Sequence, residues 1–89
     1  MVSGDRREAA IFYTQSELKQ MGFKNLGENV LISTRVSLYR INLISVGDNS
    51  RIDDFCVLSG DIDIGKNVHI TTHCAITSTR EPIVISDYV

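Results

Sequence analysis

Aliphatic residues return at every sixth position through most of the chain after residue 26. Three groups of three keep this spacing: Leu26, Ile32 and Leu38; Val46, Ile52 and Leu58; Ile64, Ile70 and Ile76. A short phrase opens each group and recurs near the C-terminus, as LGENV, VGDNS, IGKNV and ISDYV. A spacing of six with three units per turn predicts a triangular parallel β-helix, in which each coil adds one short strand to each of three faces.

The four phrases start 20, 18 and 21 residues apart, so two intervals exceed a turn of three sixes. The additional residues fall at the same corner, after Leu38 and after Ile76. Insertions confined to one corner leave the stacked strands in register. We therefore predict a β-helix domain over residues 26–89, with coils at 26–45, 46–63 and 64–84 and the start of a fourth at 85–89.

A short helix is predicted before the repeats. Thr14 precedes Glu17 by three residues, which is the spacing of a capping box, and Gly22 stands where a glycine commonly ends a helix. Such a short helix is unstable alone and must pack on the first coil. We expect a capping helix and its connection over residues 11–25, and a flexible arm over residues 1–10.

A second inward position, the fifth of each six, holds small or β-branched residues, as a narrow interior near a corner requires. They are Val30, Val36, Ser50, Cys56, Ile62, Val68 and Cys74. Cys56 and Cys74 are 18 residues apart and should lie one above the other. A disulfide and a catalytic thiol are the alternatives, but two buried free thiols are the expected arrangement.

The composition narrows the classes of protein. The chain has 89 residues, which is enough for one domain. Its formal net charge of −2 argues against a dedicated nucleic-acid binder, which would carry a surplus of basic residues. Its apolar runs are too short to span a membrane. The first eight residues are polar and lack the apolar core of a signal peptide, so we expect a cytoplasmic location.

Two histidines are candidates for chemistry. His69 is predicted to lie over Arg51, and His73 over Phe55, both facing outward. Each could act as a general base, bind a metal, or lie on a surface or subunit interface. Because no third ligand accompanies them, no metal site is predicted. His73 is the candidate catalytic base, and Phe55 is expected to pack in an interface between subunits.

The other polar groups fit simpler roles. Asp53 and Asp54 are adjacent, so they should face opposite sides of a strand and flank a turn, and they do not form an acid–base pair. The longest corner loop, residues 77–82, contains Arg80. That loop could contact a ligand through Arg80, or it could be a polar surface loop.

These residues resemble a known family. The hexapeptide pattern is similar to that of the left-handed β-helix acyltransferases. The segments FYTQSEL at 12–18, IDDFCVLSG at 52–60 and VHI at 68–70 resemble the sugar O-acetyltransferases of bacterial surface-polysaccharide clusters. The resemblance covers residues 12–89. It implies an all-β fold, a left-handed parallel β-helix of about three coils with a short N-terminal capping helix. The hand comes from the resemblance alone, because periodicity does not reveal it.

The resemblance also implies a function. Members are homotrimers that use acetyl-CoA as co-substrate and bind a sugar or nucleotide-sugar acceptor between neighbouring subunits, where a histidine deprotonates a hydroxyl or amine. No segment here matches the catalytic-histidine loop of the family, whose members are commonly longer, and no cofactor-binding residue is assigned. We therefore expect the N-terminal part of an acetyltransferase, incomplete for catalysis. The alternative is a non-catalytic trimerisation or scaffold module, or a truncated remnant of an enzyme.

Overall fold

The computed structural model of the chain describes residues 11–89, so the predicted arm at residues 1–10 lies outside the described residues. The first element, helix α1, spans Gln15–Gln20. It begins with the predicted capping box: the backbone N–H of Glu17 donates to Oγ1 of Thr14 at 3.1 Å, and that of Thr14 donates to Oε1 of Glu17 at 2.7 Å. Gly22 follows with a φ of 95°, as expected of a glycine that ends a helix. No helix among residues 11–89 is long and apolar enough to cross a membrane.

Short strands make up the rest of the described chain. They are β1 (Asn25–Leu26), β2 (Leu31–Ile32), β3 (Ser37–Tyr39), β4 (Ile44–Val46), β5 (Arg51–Ile52), β6 (Val57–Ser59), β7 (Ile62–Ile64), β8 (His69–Ile70), β9 (Ala75–Thr77) and β10 (Ile83–Ile85), with a 3₁₀ turn at Ile41–Leu43. Each strand pairs in parallel with the strand three places further along the chain. The pairing gives three sheets, ordered β1-β4-β7-β10, β2-β5-β8 and β3-β6-β9.

The aliphatic residues of the six-residue spacing lie in register across the coils. Ile32, Ile52 and Ile70 are aligned on one face. Leu38, Leu58 and Ile76 are aligned on the next. The fold is a left-handed parallel β-helix of about three coils with a short N-terminal capping helix, as the sequence predicted.

The core is a narrow column of aliphatic side chains inside the coils. Ile32, Ile52, Leu58 and Ile62 are fully buried, and α1 adds Leu18, which is also fully buried. Burying one such side chain stabilises the fold by about 2 kcal/mol relative to leaving it exposed. Ser50 is a buried polar residue in this column, and its hydroxyl donates to the carbonyl of Gly65 at 2.7 Å and accepts from the N–H of Val68 at 3.1 Å. The hydroxyl of Ser50 therefore has both a hydrogen-bond acceptor and a hydrogen-bond donor inside the core.

Two features of the backbone form the corners. Asn29, Asn49 and Asn67 occupy the fourth position of the first six in each of three successive coils, with φ values of 57°, 60° and 56°. Asparagine tolerates this left-handed region better than most residues. Gly47 lies so close to the next coil that a Cβ there would meet the carbonyl carbon of Gly65 at 2.6 Å. The spacing of six predicted the corners but not the left-handed residue at the fourth position.

Candidate functional site

Three side chains on successive coils stack at the corner between the β2-β5-β8 and β3-β6-β9 faces, and we call them the corner column: Arg35, Phe55 and His73. The rings of Phe55 and His73 are stacked, with centroids 5.3 Å apart and planes inclined by 23°. The guanidinium of Arg35 also lies over the ring of Phe55, 5.8 Å from its centroid. Phe55 is 51% exposed and His73 is exposed. The predicted position of His73 over Phe55 is confirmed, and both face outward.

The backbone at this corner is strained. Phe55 and His73 have φ values of 64° and 62°, in a region where side chains with a Cβ are disfavoured and bulky ones more so. Asp54 anchors Arg35: its Oδ2 lies 3.6 Å from Nη1 of Arg35, and its Oδ1 accepts from the hydroxyl of buried Ser33. Asp54 therefore links Arg35 of the corner column to the buried hydroxyl of Ser33.

A second group, the Asp53 cluster, lies on the β2-β5-β8 face and consists of Arg51, Asp53 and His69. Nε of Arg51 donates to Oδ1 of Asp53 at 2.7 Å, and Nε2 of His69 lies 2.8 Å from Oδ2 of the same carboxylate. The guanidinium of Arg51 also lies 5.2 Å from the ring centroid of Phe12. A carboxylate that accepts from one ring nitrogen fixes the orientation of the imidazole and leaves Nδ1 as the other functional atom.

The charge state of Asp53 follows from these contacts. Partial burial on its own raises the pKa of Asp53, but the hydrogen bonds from Arg51 and His69 outweigh it and hold the pKa below the ordinary value of 3.8. Asp53 is therefore an ionised carboxylate at neutral pH. The sequence analysis predicted the stacking of His69 over Arg51, which the strand register confirms, but it missed Asp53 as their shared partner. Asp53 follows Arg51 by two residues, so strand alternation would have placed both on the same face.

The two histidines have different surroundings. His69 is held by a carboxylate, whereas His73 packs on the ring of Phe55. The adjacent carboxylates of Asp53 and Asp54 likewise have different partners, Arg51 and Arg35 respectively. No three His, Cys, Asp or Glu side chains within residues 11–89 are grouped so that they could hold a metal ion.

Both cysteines are free thiols. Cys56 is fully buried, and its Sγ donates to the carbonyl of Thr71 at 2.9 Å. Burial raises the pKa of the Cys56 thiol. Because the thiolate is the reactive form, a buried thiol with a raised pKa is unreactive. Cys74, one coil further on, is only partly buried, which departs from the expected pair of fully buried thiols.

The third corner, which carries the long loop, is tied together by one arginine. Nη2 of Arg40 donates to the carbonyl of Ser78 at 3.0 Å and to the hydroxyl of Ser59 at 3.2 Å. The hydroxyl of buried Ser78 in turn donates to the carbonyl of Glu81 at 2.6 Å. Arg80 itself is exposed. The loop is therefore anchored on its inner side and presents Arg80 to solvent.

An open groove runs along the β1-β4-β7-β10 face. Its volume is about 330 Å³, and the polar side chains along it include Lys24, Asn25, Ser45, Asp63, Lys66 and Asp87. Lysines and carboxylates are mixed along its length, so the groove has no dominant charge. None of the candidate residues from the sequence analysis lies in it.

Comparison with known proteins gives a consistent result, although no family model matches the chain. The dTDP-4-amino-4,6-dideoxy-D-glucose acyltransferase of Escherichia coli is 46% identical over 80 residues, which cover 86% of this chain and 41% of that enzyme. AntD, an N-acyltransferase from Bacillus cereus solved with dTDP and 3-hydroxybutyryl-CoA, is 47% identical with a TM-score of 0.83, over 85% of this chain and 40% of AntD.

A variant of AntD solved with dTDP-4-amino-4,6-dideoxyglucose and coenzyme A is 53% identical over 72% of this chain, with a TM-score of 0.71. The chain thus spans about two fifths of the length of the relatives it matches. In sequence and in fold, the chain is similar to the N-terminal part of the left-handed β-helix sugar acyltransferases.

Proposed function

We propose that the chain belongs to an acyltransferase that moves an acyl group from a CoA thioester to the amino group of a nucleotide-linked deoxysugar, as a step in surface-polysaccharide biosynthesis. One observation carries this proposal: the identity of 46–47% extends over 85–86% of the chain and includes the repeats themselves. Both relatives are named as acyltransferases, and AntD was solved with a CoA thioester and with a dTDP-linked amino sugar. These names favour N-acylation over the O-acetylation that the sequence resemblance suggested.

The proposed reaction needs a base and a site for the developing negative charge. The sugar nitrogen attacks the thioester carbonyl, a C–N bond forms and the C–S bond breaks. The proton lost by nitrogen passes to the departing sulfur of CoA. A positioned base speeds such a transfer by about 10²–10⁴-fold. The proposed co-substrate is an acyl-CoA thioester that carries acetyl or a similarly short acyl group.

Two histidines are available for the base. His73 remains the candidate from the sequence, supported by its exposure and fixed position on Phe55. His69 has the stronger geometric support, because Asp53 orients its ring and stabilises the imidazolium that proton transfer would produce. Either assignment places the base on or next to the β2-β5-β8 face.

The proposal includes a homotrimer located in the cytoplasm. The trimer rests on the resemblance, and the location rests on the substrates, since CoA thioesters and nucleotide sugars are cytoplasmic metabolites. Because the chain spans two fifths of its relatives, residues 11–89 are proposed to supply the fold and one wall of the substrate cleft. Coils beyond them would complete the cleft.

A non-catalytic trimerisation module is the second candidate. It is favoured by the packing of His73, whose ring lies against Phe55 and away from any carboxylate of the described residues that could orient it. Under this alternative the repeats fold and associate, but they bind neither substrate.

Calorimetric titration separates the two candidates. The chain is titrated with CoA and, separately, with dTDP-4-amino-4,6-dideoxyglucose, both up to millimolar concentration. The acyltransferase proposal expects heat of binding for at least one ligand, and a weaker signal when His69→Gln or His73→Gln perturbs the cleft. Because further coils would complete the cleft, the deciding sample is the chain joined to the remaining coils of AntD. A folded chimera that binds neither ligand would support the scaffold alternative.

A further inference from the structure

Cys56 and Cys74 occupy equivalent positions in the second and third coils. Cys56 directly precedes β6 and Cys74 directly precedes β9, and these two strands pair in register, with Val57 beside Ala75. The backbone N–H of Val57 donates to the carbonyl of Cys74 at 2.8 Å, so the pairing extends to the two cysteines. Paired strands lie about 4.8 Å apart, and a Cα separation of that size is within the range that a disulfide spans.

Thr71 brings the two sulfurs to the same place. Sγ of Cys56 donates to the carbonyl of Thr71 at 2.9 Å, and Sγ of Cys74 lies 3.9 Å from Oγ1 of the same residue. The side chain of Cys74 is also within hydrogen-bonding reach of the Cys56 thiol. The two thiols are therefore neighbours, and a bond between them would join the second coil to the third.

The two thiols differ in their access to solvent. Cys74 is only partly buried and lies between exposed residues of its own coil, Thr71 and His73, whereas Cys56 is fully buried. An oxidant from solvent therefore meets Cys74 first, and Cys56 reacts only with a group already attached to Cys74. Burial raises the pKa of the Cys56 thiol, which lowers its fraction of thiolate. Because attack on a neighbouring sulfur is intramolecular, the high effective concentration offsets that low fraction.

A bond between these two cysteines would be strained. Side chains at equivalent positions of parallel, in-register strands point the same way, so their Cβ atoms stay about as far apart as the strands, about 4.8 Å. The preferred Cβ separation in a disulfide is about 3.5–4.5 Å. Closing the bond would draw the two coils together at this point, and strained disulfides are readily reduced by thiols. We expect the bond to form under oxidation and to reopen with a thiol reductant.

We propose that Cys74 and Cys56 are a reversible redox pair, in which Cys74 takes the modification and Cys56 resolves it. The oxidant is a small disulfide of the oxidised glutathione type. The Cys74 thiolate attacks one sulfur of the oxidant, the S–S bond of the oxidant breaks, and one glutathione leaves as a thiol with the proton that Cys74 lost. The Cys56 thiolate then attacks Sγ of Cys74 and forms the bond between coils, and the second glutathione leaves with the proton from Cys56.

The electrons balance in these two steps. The two cysteines together lose two electrons and two protons, and the glutathione disulfide gains them and becomes two thiols. The pair uses neither histidine nor any part of the Asp53 cluster, so the proposal goes beyond acyl transfer and does not depend on it.

Oxidised glutathione, added to the reduced and folded chain, tests the pair by mass spectrometry. The parent should lose the mass of two hydrogen atoms, and digestion with trypsin, which cleaves after Lys66 between the two cysteines, should give a linked pair of peptides. Dithiothreitol should restore the original mass. Cys56→Ser should keep one glutathione on Cys74, because no thiol remains to resolve it. Cys74→Ser should stay unmodified, because Cys56 is out of reach.

Serine is a matched substitution for Cys56. Buried Ser50 occupies the same position of a neighbouring six, and a hydroxyl can still donate to the carbonyl of Thr71. Circular dichroism shows whether each variant is folded, and a variant that unfolds is replaced by the corresponding alanine variant.

Three results would overturn the proposal. The first is a folded parent that stays unmodified or retains glutathione on Cys74. The second is a disulfide that forms only between chains. The third is glutathione on Cys56 of the folded Cys74→Ser variant. Binding of CoA is measured separately on the reduced chain, so the redox pair and the proposed acyl transfer can fail independently.

Discussion

Phe55 and His73 adopt a backbone conformation that residues with bulky side chains disfavour. Both occupy the left-handed region, at the position that the preceding corner fills with Asn29, Asn49 and Asn67. A left-handed conformation costs an ordinary residue about 1–2 kcal/mol. The stacking of the two rings, at 5.3 Å, offsets part of this cost.

Asp53 links two coils through its carboxylate, and we predict that Asp53→Asn lowers the free energy of unfolding at pH 7 by about 0.5–1 kcal/mol. Arg51 and His69 are about half exposed, which limits the effect to that range. The pKa of Asp53 is lower in the folded chain than the ordinary 3.8. Its stabilising effect is therefore present above that value and is lost as the pH falls through the lower folded pKa.

Urea unfolding between pH 2 and pH 7 measures this difference. The parent and Asp53→Asn should differ at neutral pH and converge at the acid end. Asp63→Asn is the control, because Asp63 is an exposed carboxylate with no salt bridge in the described part of the chain. A pH-independent difference, or an equal loss from Asp63→Asn, would contradict the role given to Asp53.

Cys56 and Cys74 should differ in reactivity. We predict that a thiol reagent modifies Cys74 in the folded chain and modifies Cys56 only after unfolding, because Cys56 is fully buried and burial raises its pKa. Mass spectrometry of peptides after timed labelling measures both rates. Equal labelling of the two thiols, or a disulfide between them in the untreated chain, would show that the described packing of Cys56 is wrong.

At the scale of elements, the repeats and the capping helix were predictable because their signals are local and periodic. The spacing of Ile32, Ile52 and Ile70 fixed the coils, and the Thr14–Glu17 pair fixed the start of α1. The Asp53 cluster was missed because it joins outward residues of two coils, and outward residues carry no periodic signal. The hand was not predictable from periodicity, since a helix and its mirror image have the same repeat.

Glycine at the first corner is required by the spacing of the coils. We predict that Gly47→Ala lowers the free energy of unfolding by about 1–3 kcal/mol, because the new Cβ would meet the backbone of Gly65 at 2.6 Å. Thermal and urea unfolding measure the loss. Ser45→Ala, at an outward position of β4, is the matched control and should change little. A Gly47→Ala variant as stable as the parent would contradict the described stacking of the coils.

At the scale of the whole molecule, burial falls toward the last coil. Ile44 and Ile62 are fully buried, whereas Ile83 in the same sheet is only partly buried. Val84, Tyr88 and Val89 are 68%, 78% and 66% exposed. In a solenoid each coil is buried by its neighbours, so these are the surfaces that a further coil or a partner would cover.

The candidate site was less predictable from the sequence than the fold was. In the family that the sequence resembles, substrates bind between subunits, and the contacts of one chain with another leave only a weak mark on its sequence. The repeat placed His69 and His73 on the outer surface of the coils, but its period does not mark which outward residues meet a substrate.

A chimera tests the central claim, acyl transfer to a nucleotide-linked amino sugar, most directly. This chain replaces the matching segment of AntD, to which it is 47% identical with a TM-score of 0.83. The purified chimera is supplied with 3-hydroxybutyryl-CoA and dTDP-4-amino-4,6-dideoxyglucose, and mass spectrometry follows the acylated sugar. The account predicts acylated product and a drop of about 10²-fold or more in rate when one of the two candidate bases, His69 or His73, is changed to glutamine. A folded, trimeric chimera that forms no acylated sugar would contradict it.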